Sequence, residues 1–102
     1  MKIAVDAMGG DFAPLEIVKG SIEAVKAFPH MEIVLVGDEA QIHKVLSEHG
    51  EADNPRISIH HASEVIEMNE HPGIALRKKK DASIVVATRL VREKQCQAVI
   101  AP

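Results

Sequence analysis

The chain has 102 residues, of which 46% are hydrophobic, 26% charged and 2% aromatic, and its formal net charge at pH 7 is −3. This composition is typical of a soluble globular unit and excludes a disordered chain. The negative charge and the absence of Trp and Tyr argue against nucleic-acid binding, which normally needs a basic face and stacking side chains.

Cysteine content and hydropathy indicate the compartment. Cys96 is the single cysteine, so one chain can form neither an internal disulfide nor a thiolate metal cluster. The first residues lack the long apolar segment of a signal peptide, and no apolar run approaches the length of a membrane span. We therefore expect a cytoplasmic protein whose membrane contact, if it has any, is peripheral.

The chain opens on a short apolar strand that runs into a loop with two glycines. Ile3-Ala4-Val5 is continuously apolar, as in a parallel strand that is buried on both faces. Gly9 and Gly10 lack a Cβ, so they can adopt positive φ and let a ligand approach the backbone. Pro14 suits the first turn of a helix, whose free N–H groups attract anions.

This sequence of strand, glycine loop and helix start has two interpretations. It is a recurring way to build a phosphate site, and it is equally the pattern of a simple tight turn after a buried strand. It is not the dinucleotide fingerprint, because the spacing is not G-x-G-x-x-G, and it is not a P-loop, because no Gly-Lys-Ser/Thr follows.

Helical and strand patterns then alternate along the first half of the chain. A first helix, stopped by Pro29, is predicted from apolar residues at helical spacing: Leu15, Val18, Ile22 and Val25. Residues 32–36 predict a second strand. Asp38 is a suitable N-cap for a second helix, with Gln41 at its N3 position, and Gly50 is placed to end that helix in the left-handed conformation. The apolar face of the second helix is predicted to carry Ile42, Val45, Leu46 and His49.

The second half continues the alternation. Residues 57–61 predict a third strand, 62–73 a long loop or broken helix, and 74–79 a short helix. We predict that Asp81 caps a further helix that ends near Lys94, with Ile84, Ala87, Thr88 and Val91 on its face. A fourth strand covers 98–101.

Alternating strands and helices predict an α/β fold with a mostly parallel sheet. Ligands of such sheets bind at the carboxyl ends of the strands, near a switch in strand order, where the glycine loop is expected to lie. The fourth strand is followed by no helix, which suggests a fragment of a longer enzyme.

Charged residues give further candidates for the site. Asp6 and Asp11 flank the glycine loop and suit a cation, a substrate hydroxyl or, as we favour, hydrogen bonds that fix the turn. Carboxylates repel phosphate, so a phosphate here needs backbone N–H groups and cations from elsewhere. The basic run from Arg77 and Lys78 to Lys80 suits phosphate or an acidic carrier protein or, as we favour, a solvated helix end that complements the helix dipole.

The histidines do not predict a metal site. His43 and His49 lie six residues apart on a helix and so face different ways, and His60 and His61 point to opposite sides of a strand. His71, in the long loop, suits acid–base chemistry near neutrality. We find neither a nucleophile elbow nor a catalytic triad, and we assign no catalytic residue.

Several separated blocks closely resemble the PlsX family, the bacterial phosphate acyltransferases of phospholipid synthesis. The family opens on a strand followed by Asp-Ala-Met-Gly-Gly-Asp-x-Ala-Pro, as this chain does. The similar blocks follow the family's order and cover nearly the whole chain: residues 1–14, 35–39, 61–68 with His71-Pro72, and 75–83.

The resemblance implies a homodimeric enzyme with a three-layer α/β/α Rossmann-like fold. Such an enzyme moves a fatty acyl group from acyl carrier protein to inorganic phosphate, and no metal or organic cofactor is expected. The implied substrate-binding residues are Asp6, Gly9, Gly10 and Asp11, with Arg77 and Lys78 as further contacts for an anion or the carrier.

The resemblance also bears on the extent of the chain. The family carries a Ser-Ala-Gly-Asn-Thr-Gly turn after the fourth strand, where this sequence has Ala101-Pro102. We therefore expect residues 1–102 to be the N-terminal part of a larger domain and to be inactive alone. Much of the active site, the dimer interface and any membrane-touching helices would follow Pro102. The alternative is a non-catalytic nucleotide- or phosphate-binding module of the same fold.

Overall fold

The computed structural model describes residues 1–67 and 69–102. Met68, which belongs to one block of the family resemblance, lies outside the described residues. The elements in chain order are β1 (Lys2–Asp6), α1 (Leu15–Ala27), β2 (Glu32–Gly37), α2 (Glu39–Glu48), β3 (Ile57–His61), α3 (Pro72–Lys78), α4 (Ser83–Arg92) and β4 (Ala98–Ile100).

The strands form one parallel sheet in the order β3-β2-β1-β4, which confirms the predicted α/β fold. β1 is central, with Ala4 paired to Val34 of β2 on one side and to Val99 of β4 on the other. Strands so placed are covered on both faces, which explains why β1 and β2 are continuous apolar runs rather than alternating ones.

Two apolar layers enclose the sheet. On one face, Val5 and Leu35 pack with Val18 of α1 and Ile42 of α2. The opposite face is covered by α4, and its core consists mainly of Ala4, Val34, Val36, Val86, Ala87 and Leu90. Helices on both faces make this a partial three-layer Rossmann-like fold.

The strand order reverses next to β1. The chain moves outward from β1 through β2 to β3 and then returns to place β4 on the other side of β1. The carboxyl end of β1 is therefore at a topological switch point, where open α/β sheets bind their ligands. The glycine loop begins there, as predicted.

Most local predictions of helix ends are confirmed. Asp38 caps α2 by accepting a hydrogen bond from the backbone N–H of Gln41 at 3.1 Å. Gly50 has φ +70°, the left-handed conformation expected after a helix. The short helix α3 begins two residues earlier than predicted, at Pro72, with the His71 ring as its cap.

The prediction that Asp81 caps α4 is wrong. The N-cap is Ala82, which makes no side-chain capping bond, and the carboxylate of Asp81 instead accepts two hydrogen bonds from Ser63. The predicted face of α4 also shifts, because Thr88 is exposed while Ser83, Val86, Ala87 and Leu90 are buried. The helix ends at Arg92.

Three further side chains differ from expectation in their burial. Leu15 is 46% exposed, because the apolar stripe of α1 that meets the sheet starts at Val18. His49 is exposed at the end of α2. Cys96 lies between the polar residues Gln95 and Gln97 in the connection from α4 to β4, yet it is buried against the α4 side of the sheet, and this burial raises the pKa of its thiol.

Candidate functional site

The glycine loop is tied down at its start by the end of β1. Asp6 is 6% exposed, and its Oδ1 accepts a hydrogen bond from the backbone N–H of Met8 at 3.0 Å. The N–H of Ala7 donates to the carbonyl of Val36 at 2.9 Å, which joins the loop to β2. Asp6 thus fixes the turn, which is the role that we favoured from the sequence.

The middle of the loop presents its backbone outward. Gly10 has φ +84°, a conformation that side chains other than glycine rarely adopt. Within residues 1–67 and 69–102, the N–H groups of Gly9, Gly10 and Asp11 have no hydrogen-bond acceptor. Gly9 faces the chain after β4, since a Cβ on Gly9 would lie 3.1 Å from the carbonyl oxygen of Pro102. The loop therefore offers free donors at the switch point.

A cavity of about 360 Å³ adjoins these donors. Its volume lies within the range of small-molecule sites. One wall is the glycine loop, and the other is the segment that follows β3 and leads to α3. The lining residues are Met8, Gly9, Gly10, Asp11, Val65, Ile66, Glu67 and Asn69.

Hydrogen bonds to residues around the start of α4 fix the position of this second wall. The backbone N–H and the hydroxyl of Ser63 both donate to Asp81 Oδ2, at 2.9 and 2.6 Å. A parallel bridge between Glu64 and Ala82 continues the contact. The hydroxyl and then the N–H of Ser63 lower the pKa of Asp81, because both bonds favour the ionised carboxylate.

Lys79 makes a second set of hydrogen bonds that hold this wall. Its Nζ donates to the carbonyl oxygen of Val65 at 2.9 Å and to the carboxylate of Glu70. The hydrogen bond from Lys79 lowers the pKa of Glu70, with the N–H of Glu67 as a second donor to the same carboxylate. Val65 lines the cavity, so Lys79 fixes the position of the wall directly.

The structure separates the predicted site residues into two groups. Gly9, Gly10 and Asp11 line the cavity, and Asp6 supports them from below. Arg77 and Lys78 do not line it: they are exposed in the last turn of α3, where Arg77 Nε donates to the carbonyl of Gly73 at 3.2 Å.

Sequence reasoning missed Ser63, Asp81 and Lys79 as the residues that hold the wall. The available signal was the spacing of Ala75 and Lys79. Lys79, the C-cap of α3, follows Ala75 by four residues, so both side chains lie on the inward side of the helix.

The charge of the cavity is negative. Asp11 and Glu67 contribute carboxylates, and no Lys or Arg is among the described residues that line it. Across the same residues, His, Cys, Asp and Glu side chains form no group of three that could hold a metal ion.

A second cavity, of about 650 Å³, lies at the carboxyl ends of β2 and β3. It is lined by Asp38, Glu39, Ala40, His43 and His61. The Nδ1 atom of His61 accepts a hydrogen bond from the backbone N–H of Glu39 at 3.1 Å, so the ring caps α2. The sequence comparison of His43 with His49 missed His61, because His43 and His61 come to line one cavity only through the pairing of β2 with β3.

No helix in the described part of the chain is both long and apolar enough to cross a bilayer. The sheet order, the free loop amides and the adjoining cavity together define an α/β protein with a glycine loop of free backbone donors at its switch point. All of residues 1–102 match the family model described as "Fatty acid synthesis protein", and the chain belongs to this family.

Curated relatives agree with this family. The chain is 57% identical over 100 residues to a protein of Heliobacterium modesticaldum named "Phosphate acyltransferase". It is 50% identical to a protein of the same name from Dictyoglomus turgidum, and 45% identical to a "Putative phosphate acyltransferase" of Clostridium perfringens. Each comparison covers 98% of this chain but only 29% or 30% of the relative, so the chain spans about 30% of the length of these relatives.

Proposed function

We propose that the protein transfers a fatty acyl group from acyl carrier protein to inorganic phosphate, and that the glycine loop contributes to the phosphate site. The observation that carries the proposal is the row of free N–H groups at Gly9, Gly10 and Asp11 beside the cavity. The family and the names of the relatives support acyl transfer to phosphate in lipid synthesis.

The proposed reaction is a direct displacement. A phosphate oxygen attacks the thioester carbonyl carbon, a C–O bond forms, the C–S bond breaks, and the carrier thiolate leaves and takes up the proton that the hydrogen phosphate gives up. The products are acyl phosphate and the free carrier thiol. Since phosphate is itself the nucleophile, the protein has to hold it close to the carbonyl and stabilise the developing oxyanion.

Backbone amides suit the first of these tasks. They offer partial positive charge without a bulky side chain, and a run of them in a turn forms a concave anion site. Asp6 fixes the turn through Met8, so the donors are held in place before phosphate arrives. Preorganised donors of this kind stabilise charge without further rearrangement.

The carboxylates limit where the remaining binding energy can come from. Asp11 and Glu67 lie on the cavity wall and repel a phosphate dianion. We propose that cations outside residues 1–102 complete the phosphate site in a protein of the relatives' length. For that reason we expect the 102 residues alone to be inactive.

The test supplies the protein, extended to the length of its relatives, with acyl carrier protein charged with palmitate and with inorganic phosphate. Acyl phosphate is trapped with hydroxylamine and measured as the hydroxamate. We expect hydroxamate that depends on both phosphate and protein. An assay without phosphate-dependent hydroxamate would refute the proposed reaction.

The alternative is a nucleotide- or phosphate-binding module without catalysis, which free loop amides would equally suit. Titration of the 102-residue chain with ATP and with phosphate distinguishes the two. Nucleotide binding by the short chain, combined with no acyl transfer by the longer form, would favour the module.

We further propose that the complete protein acts as a cytoplasmic homodimer, with any membrane contact made by regions outside residues 1–102. Sedimentation at several concentrations measures the oligomer. A sedimentation coefficient that stays monomeric at all concentrations for the longer form would contradict the dimer.

A further inference from the structure

The outer face of α3 combines cations with an exposed apolar side chain. Ala75 is buried and Lys79 bonds to the cavity wall, so these two residues form the inward face of the helix. Ile74, Arg77 and Lys78 lie three and four residues apart and therefore share the opposite face. We call these three residues the α3 face.

The α3 face is open to solvent and positively charged. Ile74 is 44% exposed, and Arg77 and Lys78 are also exposed. In the part of the chain that the structure describes, neither Arg77 nor Lys78 has a carboxylate within salt-bridge distance, whereas Lys79 is paired with Glu70. Lys80 follows directly and is exposed as well. A chain with a net charge of −3 thus concentrates free cations at one place.

The helix that carries the α3 face is connected to the wall of the candidate site. Lys79, the C-cap of the same short helix, bonds to the carbonyl of Val65, and Val65 lines the cavity beside the glycine loop. A macromolecule seated on the α3 face would therefore lie next to the cavity wall. The face also lies outside the cavity, so its cations are available to a large partner rather than to a buried phosphate.

We propose that the α3 face is the docking surface for acyl carrier protein, through contacts between its cations and an acidic helix of the carrier. The choice of this partner rests on the proposed function. The surface provides charge complementarity: two or three free cations lie around Ile74, and Leu76, 51% exposed, lies on a different side of α3, so the α3 face suits a polar, acidic protein patch. A lipid surface fits less well, because helices that lie in a membrane bury a broad apolar face and α3 has seven residues.

The experiment measures binding rather than turnover. Dye-labelled palmitoyl acyl carrier protein is titrated with the protein at low salt, and the dissociation constant is read from fluorescence anisotropy. The variant Arg77→Glu/Lys78→Glu reverses both charges, and Arg77→Gln/Lys78→Gln removes them. The matched control is Lys44→Glu, which reverses an exposed charge on α2. Circular dichroism checks that each variant is folded.

We expect charge reversal to weaken carrier binding about tenfold or more, neutralisation to weaken it less, and Lys44→Glu to change it by less than about twofold. Salt at about 0.5 M should remove most of the difference, because the contacts are exposed. Equal carrier binding by the wild type and the neutralised variant would overturn the proposal. So would a loss of binding to phosphatidylglycerol vesicles in variants that bind the carrier normally.

The outcome is separable from that of the proposed reaction. If no acyl phosphate forms but carrier binding still depends on Arg77 and Lys78, the docking surface stands and the proposed chemistry fails. If acyl phosphate forms and carrier binding is insensitive to both substitutions, the reaction stands and the docking surface fails.

Discussion

Breaking the bond between Ser63 and Asp81 should loosen the wall of the candidate site by a measurable amount. Ser63→Ala removes the hydroxyl donor at 2.6 Å, and Asp81→Ala removes both bonds that reach the carboxylate. A hydrogen bond to a charged group contributes about 1.5–3 kcal/mol when buried, and solvent screening reduces this for the partly exposed Asp81. We therefore expect a coupling energy of about 0.5–1 kcal/mol between the two substitutions.

The assay is urea unfolding of the wild type, both single variants and the double variant. For a domain of this size, a free-energy change as large as this coupling shifts the urea midpoint by about 0.5 M, so the midpoint of the double variant should differ by about this amount from the value that additive effects would give. Asp53→Ala is the control, since it removes an exposed carboxylate from the connection between α2 and β3. The effect of that substitution should stay within about 0.5 kcal/mol.

The pH dependence of the coupling follows from the direction of the pKa shift. Ser63 lowers the pKa of Asp81 in the folded protein below its ordinary value of 3.8, so folding favours the ionised carboxylate. The stabilisation is fully present above the unfolded pKa and is lost as the pH falls through the folded pKa. Glu70, which also titrates in this range, is common to all four proteins and cancels in the cycle.

Two results would refute this reasoning. Additive effects of the two substitutions at pH 7 would mean that the bond contributes nothing. A coupling that is the same at about pH 3 or below as at pH 7 would mean that ionised Asp81 is not its source.

Three further predictions address the loop, a helix and the cavity. Gly10→Ala should destabilise the chain by about 1–2 kcal/mol, because Gly10 has positive φ. Gly20→Ala should instead stabilise it by up to about 1 kcal/mol, because Gly20 lies inside α1 and an added Cβ would meet open space. Thermal unfolding of both variants checks the two signs. Asp38→Ala should cost about 1 kcal/mol through loss of the α2 cap, and an unchanged melting temperature would contradict it. Asp11→Asn should tighten phosphate binding a few-fold by removing a repelling charge, as measured by calorimetric titration; weaker binding would mean that this carboxylate helps to hold the ligand.

The sheet was predictable because its pattern is local. Continuous apolar runs identify β1 and β2 as strands that are buried on both faces. The edge strand β3 has the predicted bounds, Ile57–His61. The cap formed by Asp38 also depends on neighbours within three residues. From these elements the strand alternation and the position of the glycine loop at a switch point follow by general rules of α/β topology.

The wall of the cavity was not predictable, because its contacts span long stretches of sequence. Asp81 is of a residue type that often caps helices. Its carboxylate instead accepts hydrogen bonds from the backbone N–H and the hydroxyl of Ser63, which lies 18 residues earlier in the sequence. Lys79 looked like one member of a solvated basic run, and only the docking of α3 distinguishes it from Lys78. His43 and His61 line one cavity because β2 pairs with β3, which is also a contact between distant parts of the sequence.

The placement of charge connects the two proposals. A phosphate site needs positive potential, yet the described cavity wall carries carboxylates at Asp11 and Glu67, and Lys79, which bonds to this wall, is already engaged by Glu70. Arg77 and Lys78 are exposed on the far side of α3, and Lys80, just after the helix, is exposed too. Within these residues, neutral backbone amides thus adjoin the cavity, while free cations face outward. If both proposals hold, this division keeps a large acidic partner and a small anionic substrate from competing for the same groups, because each is then attracted to a different side of one short helix and the wall it supports.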